Sequence, residues 1–272
     1  STTAIYTKSA RCRILAINTS PDGKFAHNPE PTAKNLAQLC DFVKTEKADV
    51  GFAQDPDADR LAIVSEAGEC VGEENTLSLA VKHVLSASRR VGESASQKTG
   101  QKVVVNLSTS RMVDDIAAEF GATVLRAAVG ETNVVNRMRE TGAAIGGEGN
   151  GGVIYPAVNF GRDSFVGIAL ILEYMAVSKK RLSELLSAIK QYKMEKVKIE
   201  YPKEKINAAL AAITEKFKGE KINTVDGVRI DRKDSWVQIR PSNTEPVVRI
   251  IAEAGTQAEA KKAVEEIKAL LN

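Results

Sequence analysis

Between residues 102 and 140 the apolar spacing of the chain switches back and forth between two periods, and this limits the folds open to it. Residues 102–107 form a β-branched run, the pattern of a strand buried on both faces. Residues 112–120 return to helical spacing and stop at Gly121; residues 123–126 are again strand-like, and residues 132–140 again helical. A βαβα order predicts a mainly parallel sheet with helices on both faces.

The remaining segments extend this into an α/β chain with mixed, mainly parallel sheets and a C-terminal α+β unit. Near the N-terminus, residues 13–18 read as a strand. Thr32 then reads as the cap of a helix carrying Leu36, Leu39, Cys40 and Val43 on one face. Short buried strands are expected at 48–53 and 61–64. A helix is expected at 73–85, with Leu77, Val81 and Val84 inward and His83 on its polar flank. Residues 86–101 read as a surface connection. Helices at 163–177 and 182–192 precede a break at 193–196. After it come a strand at 198–201, a helix at 205–217, a hairpin turn at Asp226-Gly227, strands at 236–240 and 247–251, and a helix at 258–271. That order predicts one sheet covered by helices on one face. The expected division is 1–70, 71–193 and 194–272.

At 272 residues the chain is long enough for two or three cores, and 43% hydrophobic with 27% charged residues is ordinary for a globular protein. A net charge of +3 without a basic run names no nucleic-acid partner. Cys12, Cys40 and Cys70 are scattered, which fits a reducing cytoplasm. No apolar stretch approaches the roughly 20 residues of a membrane span, so no membrane partner is expected.

Between the strands at 48–53 and 61–64 lies Asp55-Pro56-Asp57-Ala58-Asp59-Arg60. Three carboxylates at alternating positions of a tight turn repel one another if left bare. A hard divalent cation such as Mg²⁺ relieves this; a solvated acidic turn is the alternative. An EF-hand loop does not fit, because Arg60 stands where that loop needs Gly and residues 61–64 read as strand. Arg60 beside the carboxylates suits a phosphate, which a guanidinium binds through two hydrogen bonds.

Two further stretches carry polar groups on stiff or glycine-rich backbone. Gly146-Gly147-Glu148-Gly149-Asn150-Gly151-Gly152 satisfies G-x-G-x-x-G, but a strand follows it rather than a helix, so it is not a dinucleotide loop. Glu148 and Asn150 there suit sugar hydroxyls. Arg240-Pro241-Ser242-Asn243-Thr244-Glu245-Pro246 gathers donors between two prolines, as a phosphate-binding loop would, and Arg249 follows on the next strand. A glycine turn and a polar hairpin loop are the plain alternatives for these two stretches.

In this order the three stretches resemble motifs of the α-D-phosphohexomutases: the metal loop D-G-D-[AG]-D-R, the sugar loop G-E-x-S-G-H and the phosphate loop R-x-S-[GN]-T-E-P. The sequence departs from them at Pro56, Asn150 and Gly152, the last standing where many members carry His. The resemblance implies Mg²⁺ on Asp55, Asp57 and Asp59, with Arg60 supporting. It implies sugar contacts from Glu148, Asn150, Gly130 and Glu131, with sugar-phosphate contacts also near Ser108-Thr109-Ser110-Arg111. Phosphate contacts are implied for Arg240, Ser242, Asn243, Thr244 and Arg249. The implied reaction moves a phosphate within a hexose phosphate through a bisphosphate. Glucosamine phosphate is the first expected substrate, with phosphomannomutase/phosphoglucomutase activity or sugar-phosphate binding without turnover as alternatives. The family's nucleophile is a phosphoserine in a Ser-His-Asn-Pro loop. Ala26-His27-Asn28-Pro29 is similar but lacks the Ser, and its neighbours Phe25, Pro29 and Pro31 match a second, non-catalytic F-P-x-H-x-P-x-P stretch. His27 is therefore expected to be non-catalytic, and an N-terminal phosphoserine domain to be missing from this chain.

Overall fold

The computed structural model describes residues 12–20, 24–25, 27–90, 100–242 and 245–271. Three sheets organise them. In the first, β1 (Val50–Gln54) and β2 (Leu61–Ser65) pair antiparallel, with Gln54 opposite Leu61, so the acidic turn joins them. In the second, β4 (Thr123–Ala127), β3 (Lys102–Asn106), β5 (Ile145–Glu148) and β6 (Gly152–Ile154) lie side by side. The β3–β4 and β3–β5 pairs are parallel and β5–β6 is an antiparallel hairpin, so the sheet is mainly parallel, as the alternating periods predict.

Helices α1 (Ala37–Glu46), α2 (Glu73–Arg90), α3 (Met112–Phe120), α4 (Glu131–Thr141), α5 (Ser164–Ser178) and α6 (Leu182–Ser187) accompany these two sheets. One face of β3 places Val103 and Val105 in a core with Leu77, Ile116 and Ile171. The other places Val104 against Val134 and Met138 of α4. Leu61 and Ile63 of β2 enter the larger of these cores, so the acidic turn is anchored by the second sheet's own packing.

Several sequence expectations are corrected. Residues 13–18 form no strand: they find no ladder partner among the described residues, and a pattern cannot supply one. Thr32 makes no side-chain cap; a 3₁₀ turn at Ala33–Asn35 comes first, and α1 starts after Leu36. Helix α2 continues through Arg90, beyond residue 85, while residues 91–99 of the expected surface connection lie outside the described residues. Helix α6 ends at Ser187, and strand β7 (Lys193–Glu200) occupies the expected break, because its ladder with β11 (Val247–Ala254) runs back to Lys193 opposite Ala254. His83 is buried rather than on a polar flank. Its Nε2 lies 3.0 Å from Glu173 and its ring packs on Tyr174, since α5 covers that side of α2. Among the described residues no helix is long and apolar enough to cross a membrane.

The third sheet has the order β7-β11-β10-β9-β8, where β8 is Lys221–Asn223, β9 is Val228–Asp231 and β10 is Trp236–Pro241. Helices α7 (Lys203–Lys216) and α8 (Gln257–Lys268) cover one face, burying Ile206, Ile213, Val264 and Ile267 against Val237, Ile239 and Ile250. Strand alternation turns Trp236, Gln238 and Arg240 to the opposite face. That face is polar, yet Arg229, Gln238 and Glu253 are at most 1% exposed. It docks on the loop after β3. Ser108 Oγ donates to Gln238 Oε1 at 2.8 Å, the Arg111 amide donates to Glu253 Oε1 at 2.9 Å, and Arg229 donates to the Leu107 carbonyl. Arg229 also lies 4.0 Å over the Trp236 ring and pairs with Asp231 at 2.8 Å, while burial pulls its pKa down to about 10. Replacing Arg229 with Ala strips partners from Asp231 and Leu107 together. Urea unfolding should show a loss of about 3 kcal/mol for Arg229→Ala, as for a broken buried ion pair; an unchanged midpoint would mean the contact carries no stability.

Candidate functional site

The acidic turn is held in shape by its own first carboxylate. Asp55 is buried, and its Oδ1 accepts from the amides of Asp59 (3.1 Å) and Arg60 (2.9 Å). Its Oδ2 accepts from Arg60 Nε at 2.6 Å. Burial raises the Asp55 pKa, but the hydrogen bonds from Arg60 and Asp59 outweigh it, and the net shift is downward. Ala58 takes a left-handed conformation at φ 58°, uncommon without Gly, and its carbonyl accepts from Ser164 N (3.2 Å) and Ser164 Oγ (2.6 Å) at the start of α5. Asp57 is exposed at the tip. Burial, hydrogen bonding with Asp55 and the charges of Asp55 and Asp57 raise the Asp59 pKa to about 6, against the pull of Arg162.

Carboxylate oxygens of Asp55, Asp57 and Asp59 lie within 4.8 Å of one another, and Asp59 Oδ1 is buried without a hydrogen-bond partner. Three hard oxygen donors so gathered fit a divalent cation such as Mg²⁺. Arg60 turns back onto Asp55 and also lies 3.7 Å from Asp59. His27 is exposed and lines the same cleft as Asp55 and Pro56, while its neighbour Ala26 lies outside the described residues.

The glycine-rich loop packs directly on β2, the strand after the acidic turn. Leu61 N donates to the Gly151 carbonyl at 3.1 Å, and a Cβ on Gly151 would come within 2.5 Å of the Leu61 carbonyl. Gly151 also sits at φ 92°, so both space and conformation require glycine there. Glu148 is buried and is met by three donors: Asn106 Nδ2 (2.7 Å) and Gly130 N (2.9 Å) on Oε1, and Arg162 Nη1 (2.7 Å) on Oε2. Asn150 turns inward, its Oδ1 accepting from Gly152 N at 3.2 Å. Glu131 Oε1 accepts from the Arg162 amide at 2.6 Å.

Arg162, Asn106 and Asp226 were missed by reading motifs alone. Arg162 also pairs with Asp59, so one guanidinium ties the acidic turn to the glycine-rich loop. Its one sequence signal was its place before Asp163, the cap of α5, whose side chain accepts from Phe165 N and Val166 N. The 108–111 segment is occupied in structural contacts. Ser108 meets Gln238, Thr109 meets Asn106 and Gly149, and the Ser110 amide donates to Glu74 at 2.9 Å. Arg111 points away, donating to the Lys233 carbonyl at 2.8 Å.

Arg240 lies on β10 directly opposite Arg249, and Arg249 directly opposite Lys198, which puts three cations in a row across three strands. Like charges so placed repel unless anions intervene. Glu245 meets Lys198 at 2.7 Å, and Asp226 lies 4.0 Å from Arg240. The Ser242 amide donates to the Val247 carbonyl at 2.9 Å; Asn243 and Thr244 lie outside the described residues.

Comparison with known proteins shows the family and the fold. The chain matches family models described as phosphoglucomutase/phosphomannomutase alpha/beta/alpha domain II over residues 2–68, domain III over 75–192, and the C-terminal domain over 194–270. The chain therefore belongs to the phosphoglucomutase/phosphomannomutase family. A Thermococcus kodakarensis protein named phosphoglucomutase/phosphomannomutase is 39% identical, across 93% of this chain and 54% of its own length. A probable phosphoglucosamine mutase of Methanopyrus kandleri is 33% identical, across 97% of this chain and 57% of its own. The crystal structure of a family protein from Burkholderia thailandensis superposes with a TM-score of 0.83 at 27% identity, across 97% of this chain and 56% of the other. The chain thus spans about half the length of the relatives it matches.

Glu74, beneath Gly149, is the most perturbed acid near the loop: burial raises its pKa from 4.5 to about 8, against Lys196 and the Ser110 hydrogen bond. Because the folded value exceeds the unfolded one, Glu74 favours folding at low pH, and that contribution is lost as pH rises from 4.5 through about 8. Glu74→Gln should flatten the fall in stability across that window in thermal melts; an identical pH profile would contradict the shift.

Proposed function

We propose that this chain supplies the metal-, sugar- and phosphate-binding parts of a phosphohexomutase. The whole protein would interconvert glucosamine-6-phosphate and glucosamine-1-phosphate by intramolecular phosphoryl transfer through a bisphosphate. The observation that carries this reading is the joining of the acidic turn to the glycine-rich loop by Arg162, with the row Lys198, Arg249 and Arg240 on the third-sheet face that docks on the loop after β3. Residues 1–70 would carry the metal turn, 71–193 the sugar loop and 194–272 the phosphate loop. The nucleophile would come from a phosphoserine domain outside this chain. A second reading, phosphomannomutase/phosphoglucomutase activity, is favoured by the name of the 39% identical relative.

Asp55, Asp57 and Asp59 would hold Mg²⁺, which when bound neutralises charge on the transferring phosphoryl group. Arg60 keeps Asp55 ionised and oriented for that role. Glu148, Asn150, Gly130 and Glu131 would hold the sugar. A carboxylate has roughly four acceptor positions. Glu148 uses three of them on Asn106, Gly130 and Arg162, leaving one for a hydroxyl. Arg240, Ser242, Asn243, Thr244 and Arg249 would hold the phosphate that stays in place, so the ligand can reverse while the protein reads it the same way twice.

Asp57 is exposed, so Asp57→Asn should leave the melting temperature unchanged while Mg²⁺ binding by calorimetry weakens or disappears. Full retention of Mg²⁺ affinity would remove Asp57 from the ligand set. The other two loops separate by ligand. Arg240→Lys should weaken hexose phosphates by about 1–3 kcal/mol, since Lys cannot reproduce a two-point guanidinium contact. Glu148→Gln should weaken hexose phosphates and spare inorganic phosphate. Equal losses of both ligands in Glu148→Gln would overturn the assignment of sugar to one loop and phosphate to the other.

A further inference from the structure

Two consecutive amides of one turn meet carboxylates from two different sheets. Gly130 N donates to Glu148 of β5, in the glycine-rich loop, at 2.9 Å. Val129 N donates to Asp226 Oδ2 at 3.0 Å, from the hairpin between β8 and β9 of the third sheet. The same Asp226 oxygen lies 4.0 Å from Arg240 Nη1. The hairpin is itself held in place: Gln238 Nε2 donates to the Asp226 carbonyl at 2.9 Å while Gln238 Oε1 accepts from Ser108 of the second sheet at 2.8 Å. Arg240 Nε is buried without a hydrogen-bond partner among the described residues.

We propose that Asp226 is a positioning residue that sets the phosphate-binding guanidinium of Arg240 at a fixed distance from the sugar-binding carboxylate of Glu148. This rests on the assignment of Arg240 to phosphate and Glu148 to sugar. The physical reason is geometric. A hexose phosphate touches both groups at once, and its affinity exceeds that of inorganic phosphate only when their separation matches the ligand. Arg240 and Glu148 lie on different sheets, and the path Arg240, Asp226, Val129, Gly130, Glu148 is a short polar connection between them. Asp226 touches neither end of the ligand in this scheme. Its side chain supplies two separable features: an acceptor for the Val129 amide and a negative charge facing Arg240.

The two features are tested by two variants of the chain, each titrated by calorimetry with inorganic phosphate and with glucosamine-6-phosphate. Asp226→Ala removes both features. It should cut the preference for the hexose phosphate over inorganic phosphate about tenfold, the size expected for losing one hydrogen bond to a charged group. Asp226→Asn keeps an acceptor for Val129 but removes the charge facing Arg240, and should lose about threefold of the preference, the size of a weak ion pair. Amide hydrogen exchange at Val129 should speed up in Asp226→Ala and stay slow in Asp226→Asn. Preference unchanged in either variant overturns the proposal while leaving the sugar and phosphate assignments standing. A parent chain that binds inorganic phosphate but shows no preference for the hexose phosphate overturns those assignments, and this inference with them.

Discussion

The Glu148 carboxylate is taken almost wholly out of water, and a buried charge is tolerated only when donors surround it. Its donors come from the end of β3, the turn before α4 and Arg162, two residues before α5. Satisfying one carboxylate therefore fixes three separate segments around it. Arg162 carries the constraint further, because its own charge is balanced by Asp59 as well as Glu148. The acidic turn and the glycine-rich loop are thus set by one electrostatic requirement, and neither could shift without leaving a buried charge unpaired.

A second constraint acts between the second and third sheets. An apolar interface tolerates sliding, because dispersion and burial are non-directional. Here Ser108, Arg111 and Arg229 make directional hydrogen bonds to Gln238, Glu253 and Leu107, and each has a narrow range of acceptable positions. Arg229 pairs with Asp231 at the cost of partial desolvation, which weakens its hold on the proton. Stability gained this way is modest; what the bonds define is where β10, and with it Arg240, sits relative to the sugar loop.

Much of this was legible in the residues and some of it could not be. The βαβα order from 102 to 141 was readable because buried strands and two-faced helices leave distinct apolar periods, and helix α3 falls where its spacing places it. The acidic turn, the glycine-rich loop and the Arg240–Pro246 stretch stood out as candidates because each concentrates chemistry within a few residues. The strand expected at 13–18 failed because pairing is a property of two segments, not one. His83 was misplaced because burial of a helix flank depends on what covers it, and α5 is about ninety residues away. Arg162 and Asp226 were hidden for the same reason. Each is a lone charged residue at an element boundary, a common surface pattern, and its partners lie 14 to 103 residues away for Arg162 and 12 to 97 for Asp226.

The departure at Gly152 has a steric account in the same network. The resembled motif has His at this position, and if that His serves as general acid or base, its replacement by Gly152 leaves the role to another group or to water. In this fold a Cβ on residue 152 would lie 2.3 Å from Arg162 Cδ and 3.0 Å from Arg162 Cγ. The Arg162 side chain runs through the volume that a residue at 152 would fill, on its way to Glu148 and Asp59. A larger side chain at 152 and this course of Arg162 are therefore mutually exclusive. The glycine does not leave the loop without positive charge; it admits charge from the start of α5, ten residues along, where a guanidinium can reach two carboxylates that an imidazole at 152 could not bridge in the same way.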